Sequence, residues 1–131
     1  MSEYVVTDTE FKDQSCLVEA LSDFGYAQVE VGEGLPLYGY RGNRRAETAD
    51  VVVRKQFVGS SANDVGFAKG ADGCFHAIVS AFDRSGHLTA IKLAKLRQLY
   101  SARVVEKELR RVGKQVISRE TVNGKIKIRV R

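Results

Sequence analysis

The chain has no tryptophan, a single proline (Pro36) and two cysteines, Cys16 and Cys74. No stretch comes near the roughly 20 consecutive apolar residues of a membrane helix, which argues against a membrane span. Two cysteines 58 positions apart cannot build a disulfide framework, and they read as reduced cytosolic thiols. The first residues, Met1 to Phe11, carry Glu3, Asp8 and Glu10 with no basic start, so no secretory signal is expected. Linkers rich in Pro, Ser or Gly are missing, as are internal repeats and low-complexity tracts. A membrane protein, a collagen, a stapled toxin and a two-domain enzyme are thereby disfavoured. What is present is 131 residues, 44% hydrophobic and 28% charged, enough for one domain over residues 1–131 with a core of its own. A cytoplasmic location is expected.

The net charge is +5, and its distribution is uneven. Residues 1–40 hold eight acids and only Lys12 as a base, whereas residues 92–131 hold 13 bases against Glu106, Glu108 and Glu120. Such asymmetry predicts a basic face for nucleic acid or an acidic protein. The plainer alternative is that the two halves fold together and neutralise each other.

Local patterns give the elements. Tyr4-Val5-Val6-Thr7 reads as a strand. Asp13 stands at an N-cap position before Leu17, Leu21 and Phe24, with Gly25 as the stop, which predicts a helix over Gln14 to Phe24. Ala27 to Glu33 alternates, with Val29 and Val31 facing inward and Gly32, Gly34 and Pro36 ending the strand. Leu37 to Tyr40 is extended and Gly42-Asn43 is a turn. Ala49 to Val53 is strongly β, with a pattern that can run to Val58. A further strand over Asp64 to Lys69 and a turn at Gly70 to Gly73 follow. Cys74 to Phe82 is expected as a strand with Phe75, Ala77 and Val79 on one face and His76, Ile78 and Ser80 on the other. Leu88 to Val112 contains no Gly or Pro and predicts a long helix. It carries one apolar stripe at Leu93, Leu96, Tyr100 and Val104, and a second, offset one at Val105, Leu109 and Val112. Asn123-Gly124 marks a type I′ hairpin pairing Glu120 with Lys127, with Ile117, Thr121, Ile126, Ile128 and Val130 on one face. The sum is an α+β fold: a mostly antiparallel sheet of about six strands with two helices packed on one face.

Candidate chemistry is sparse. Cys74 and His76 share a strand face but stand about 7 Å apart, with no acid indicated, so no catalytic residue is assigned and the chain is read as not an enzyme. Cys16, Cys74, His76 and His87 lack paired ligand spacing, so no metal and no cofactor are expected. No phosphate loop and no dinucleotide fingerprint occurs. Gly39-Tyr40-Arg41-Gly42 has the Gly-x-x-Gly form of KH domains but is flanked by strand-like residues instead of helices. Arg41, Arg44 and Arg45 with Tyr38 and Tyr40 are candidates for holding phosphates and stacking on bases. On the long helix Arg103, Lys107, Arg110, Arg111 and Lys114 recur at helical spacing, which predicts a face for an acidic partner or a phosphate backbone. The solvated outside of a helix covering a sheet would show the same pattern.

Several of these segments in order resemble one family. They are Leu21-Ser22-Asp23-Phe24-Gly25-Tyr26, Tyr38-Gly39-Tyr40-Arg41-Gly42, Ala49 to Val53, Asp64-Val65-Gly66-Phe67, Gln98-Leu99-Tyr100, Gly113-Lys114-Gln115-Val116 and Asn123-Gly124 with Ile126 to Val130. Together they are similar to the hypothetical chloroplast reading frame thirty-five family, a domain of unknown function in plastids, cyanobacteria, other bacteria and phages. That resemblance implies no enzymatic activity and no cofactor. It implies an accessory or adaptor role beside a MoxR-type AAA+ ATPase, whose genes neighbour those of the family in bacteria. Ala77 to Ala81 departs from the family pattern, being small and apolar where polar and aromatic residues are usual. The expected function is a binding or adaptor module docking an acidic protein through the basic carboxy-terminal half. The alternatives are a nucleic-acid-binding protein and a phage inhibitor of a host machine.

Overall fold

The computed structural model describes residues 4–6 and 11–131. Thr7 of the expected first strand, and Glu3, Asp8 and Glu10, lie outside the described residues. Seven strands and four helices follow in the order β1 (Tyr4–Val6), α1 (Gln14–Phe24), β2 (Glu30–Tyr38), β3 (Arg44–Val53), α2 (Lys55–Val58), β4 (Val65–Lys69), β5 (Phe75–Ser80), α3 (Ala81–Gly86), α4 (Ala90–Arg111), β6 (Val116–Val122) and β7 (Lys125–Val130). The α+β class and the antiparallel pairing are as the sequence predicts. The strands form two sheets, not one. Five make a sheet in the order β1-β5-β4-β3-β2, and β6-β7 stands apart as a two-stranded ribbon.

Alternation divides the large sheet into two faces. Val51, Val53, Val65, Phe67, Phe75, Ala77 and Val79 point to one side. They pack there against Leu17 and Leu21 of α1 and Leu93, Leu96 and Tyr100 of α4. The opposite face holds a smaller cluster of Leu37, Ala49, Val52 and Ile78. Gly66 lies within this second layer. A Cβ built there would meet the Ala49 Cβ at 2.6 Å and the Leu37 methyls at 3.1 Å, so only glycine lets β4 approach so closely.

The helix signals act where they were read. The Asp13 carboxylate accepts the Cys16 N–H at 3.1 Å, and Gly25 adopts a left-handed φ of 119° at the end of α1. Thr89, not singled out in the sequence, caps α4 by accepting the Lys92 N–H. Several boundaries differ, and β3 begins already at Arg44, before the expected Ala49. β2 runs through Gly32, Gly34 and Pro36, because a bulge between Val31 and Leu35 absorbs the irregular residues instead of stopping the strand. Gly34 there takes φ +59° and donates to Asp50 Oδ1, while Val31 is left 49% exposed. β5 stops at Ser80, whose hydroxyl accepts the Asp83 N–H and starts α3, a helix not expected from the sequence. The β pattern expected toward Val58 turns instead into α2.

The ribbon carries the predicted turn. Asn123 and Gly124 have φ of 52° and 75°, and Glu120 opposes Lys127. The expected inward face is corrected by a bulge between Val116 and Ser118. Ile117 is thrown outward, half exposed, Thr121 and Val130 of the expected face are exposed as well, and Arg119 lies opposite Ile128. Among the described residues no helix is long and apolar enough to cross a membrane.

Candidate functional site

The acidic amino-terminal third meets α4 directly. Arg103 donates from Nε and Nη2 to the two carboxylate oxygens of Asp23, each at 2.7 Å, and its Nη1 lies 3.0 Å from Glu19. Asp23 also accepts Arg119 Nη1 at 3.1 Å. Glu106, only 3% exposed, lies 3.6 Å from Arg103 and 3.7 Å from Arg119, and Arg110 comes within 4.0 Å of it. Lys107 donates to Asp13. The hydrogen bonds from Arg103 hold the Asp23 carboxyl below its ordinary range, and Asp13 raises the Lys107 ammonium. Arg103 and Lys107, two of the predicted partner-binding residues, are therefore turned toward α1. The cause is the complementarity of a negative amino-terminal third and a positive carboxy-terminal half. Arg119, which the sequence reading did not single out, completes this network. Its signal was a charge between Ile117 and Thr121, on the face expected to be apolar.

The other basic residues of this half face outward. Arg110 and Lys114 are exposed, and among the described residues Arg111 bonds its own-helix neighbour Glu108. Lys125, Lys127, Arg129 and Arg131 are exposed at every second position of the ribbon's second strand and its end. Beside them lies the second apolar stripe of α4. The ribbon covers it incompletely, leaving Val105 48% and Val112 54% exposed. A groove of about 430 Å³ separates α4 from β7, lined by Ser101, Ala102, Val105, Ile126 and Ile128. Gln98 closes one end by donating to the Gly124 carbonyl at the turn. Chemically this surface offers half-covered valines within a row of cations.

The arginine–tyrosine group occupies the other end of the sheet. Gly39 to Asn43 is a tight hairpin loop between β2 and β3, closed by Gly39 N–H to Asn43 O at 2.8 Å and Gly42 N–H to Gly39 O at 2.9 Å. It is not a loop between helices, so the KH-like form has no matching context. Arg41 lies over the Tyr40 ring at 5.3 Å and donates to its hydroxyl. Arg45 lies over Tyr4 at 5.0 Å, and Arg54, not an expected partner, over Tyr38 at 5.8 Å. Arg44 and Arg45 are consecutive strand residues and project from opposite faces, so the structure does not bring the three arginines together. Arg54 also bonds Glu30, the Pro36 carbonyl and the buried Asp64.

Residues with catalytic potential are packed into structure. Cys74 is buried, and His76 Nε2 lies 3.0 Å from Asp72, an acid the sequence reading did not anticipate. A second polar group is buried between β5, α3 and the segment before β4. Asp83 Oδ2 accepts the Asn63 N–H at 3.0 Å and the Ser80 hydroxyl at 2.8 Å, while Asp83 Oδ1 is 2.7 Å from His87 Nδ1. Asn63 Oδ1 in turn accepts the Tyr40 N–H, tying the β2–β3 loop to this group. Every member has a partner, as buried polar groups require. Among the described residues, no group of three or more His, Cys, Asp or Glu side chains could hold a metal ion.

A family model described as a protein of unknown function (DUF1257) matches residues 20–130. No curated protein and no solved structure matches the chain. The chain belongs to the DUF1257 family, in keeping with the resemblance to a plastid and bacterial domain of unknown function.

Proposed function

We propose that this member of the DUF1257 family is a non-enzymatic binding or adaptor module that docks an acidic partner through α4 and the β6–β7 ribbon. The observation that supports it is the half-covered stripe of Val105 and Val112 beside outward cations. An apolar strip within a basic rim favours a partner with acidic residues around an apolar contact. Arg110, Arg111 and Lys114 keep the role expected from the sequence and are joined by Lys125, Lys127 and Arg129. Arg103 and Lys107 serve instead to fix α4 on α1. The family resemblance puts a cytoplasmic AAA+ ATPase of the MoxR type first among partners. A phage inhibitor of a host machine would use the same surface.

The test is a capture experiment from the native host with mass spectrometry, comparing the native chain with a Lys114→Glu, Arg129→Glu double variant. The expected result is an acidic partner retained by the native chain and lost by the variant, with melting temperatures unchanged. Equal capture by both overturns the assignment of the surface.

Nucleic-acid binding is the second reading, favoured by one observation, the exposed Tyr40 ring paired with Arg41. It predicts affinity that falls steeply with salt. An anisotropy titration with a single-stranded oligonucleotide that shows no binding at low salt removes it.

A further inference from the structure

The ribbon has a strand edge without a neighbour. β6 pairs with β7, and among the described residues β7 has no strand on its other side. A two-residue type I′ turn makes Val122 and Lys125 the closing hydrogen-bonded pair. Strict alternation then turns the N–H and C=O groups of Lys127 and Arg129 toward β6, and those of Ile126 and Ile128 away from it. Among the described residues, nothing bonds these outward groups. The same edge borders the groove of about 430 Å³ against α4.

We propose that the outer edge of β7 receives an extended segment of a partner protein in which apolar and acidic side chains alternate. This rests on the reading that the carboxy-terminal half docks an acidic partner, and it names the form that partner takes. An added strand would lie about 4.8 Å from β7 and satisfy the outward backbone groups. Its side chains on the inner face would enter the groove, where Ser101 and Ala102 are small enough to leave room beside Val105. Those on the outer face would stand beside Lys125, Lys127 and Arg129, whose side chains recur about every 7 Å along the strand. Opposite charges at such cross-strand positions stabilise the pair, and like charges destabilise it. A second copy of this chain pairing edge to edge would set cation against cation, so the lysine row discourages self-association. A nucleic-acid backbone would use the cations and leave the groove and the edge amides unfilled.

The test uses the full chain and three probes: a capped ten-residue peptide alternating glutamate and valine, a ten-residue polyglutamate and a ten-nucleotide single strand. Nitrogen-15 NMR titration is expected to shift the amides of Ile126, Ile128 and Val130 with the alternating peptide and to slow their hydrogen exchange. Ile128→Pro removes one outward N–H without touching the ladder to β6 and should weaken binding at least tenfold. Ser101→Trp fills the groove from the helix side and should do the same, which decides the matter if the proline variant loses its hairpin. If polyglutamate binds as well as the alternating peptide and Ser101→Trp has no effect, strand addition is wrong while acidic docking stands. If neither peptide shifts these amides at millimolar concentration, strand addition is wrong. Shifts elsewhere on α4 with polyglutamate alone would keep the broader reading, and their absence would remove it. The idea also fails if the oligonucleotide alone moves this edge, or if dilution moves it as expected for a self-associating chain.

Discussion

Arg103 holds Asp23 with two parallel hydrogen bonds of 2.7 Å, joining α4 to α1 across 80 positions of sequence. The paired geometry makes this a directional clamp, and Arg119 adds the ribbon to it through the same carboxylate. One acid thus fixes three elements in place.

Replacing Arg103 by methionine keeps the aliphatic stem and removes the clamp. Side-chain exposures of 22% and 15% place the pair between the surface and buried limits, so a loss of about 1–3 kcal/mol is expected. Urea denaturation measures it. A loss below 0.5 kcal/mol by that measurement would show that solvent screens the pair almost completely.

The acid limb of the stability curve should report Asp23. Its carboxyl is held below the ordinary range in the folded state, mainly by the bonds from Arg103. Its contribution is therefore complete above the unfolded value of about 3.9 and is lost as pH falls through the lower folded value. Asp23→Asn should flatten the decline in stability below about pH 4 and lower stability at neutral pH. An unchanged slope in denaturation curves taken from pH 7 to pH 2.5 would contradict this.

Gly66→Ala should destabilise the large sheet by about 1–3 kcal/mol, since the new methyl would push on Ala49 and the Leu37 side chain. Adding Ala49→Gly should recover part of the loss, because it removes the atom 2.6 Å from the new Cβ. A denaturation cycle over the four chains checks the coupling.

Gly124→Ala places a side chain at φ +75° and should cost about 1 kcal/mol in the turn. The ribbon is a separate sheet, so the effect should stay local. Hydrogen exchange at the Lys127 and Arg129 amides is expected to quicken while that of Val51 and Phe67 is unchanged.

Much of this molecule is determined by its sequence alone. Asp13 and Gly25 bound α1, and Asn123-Gly124 sets the hairpin, because caps and turns depend on a few neighbouring backbone groups. The alternation of Phe75 to Ser80 divided β5 into two faces, and the structure buries residues of both, Ala77 and Val79 on one and Ile78 and Ser80 on the other. Tertiary structure decided the rest. A bulge is a mismatch between two strands, so β2 could continue past Gly34, and Ile117 could yield its inward place to Arg119, only once a partner strand had fixed the register. The fate of each cation was likewise beyond local pattern. Arg103 and Arg110 belong to one helical run, yet the first is drawn into the network of Asp23 and Glu19 while the second stays exposed and only reaches to 4.0 Å from Glu106. Coulombic pairing depends on distances that folding creates between α1 and α4, and nothing in the spacing of either helix contains them.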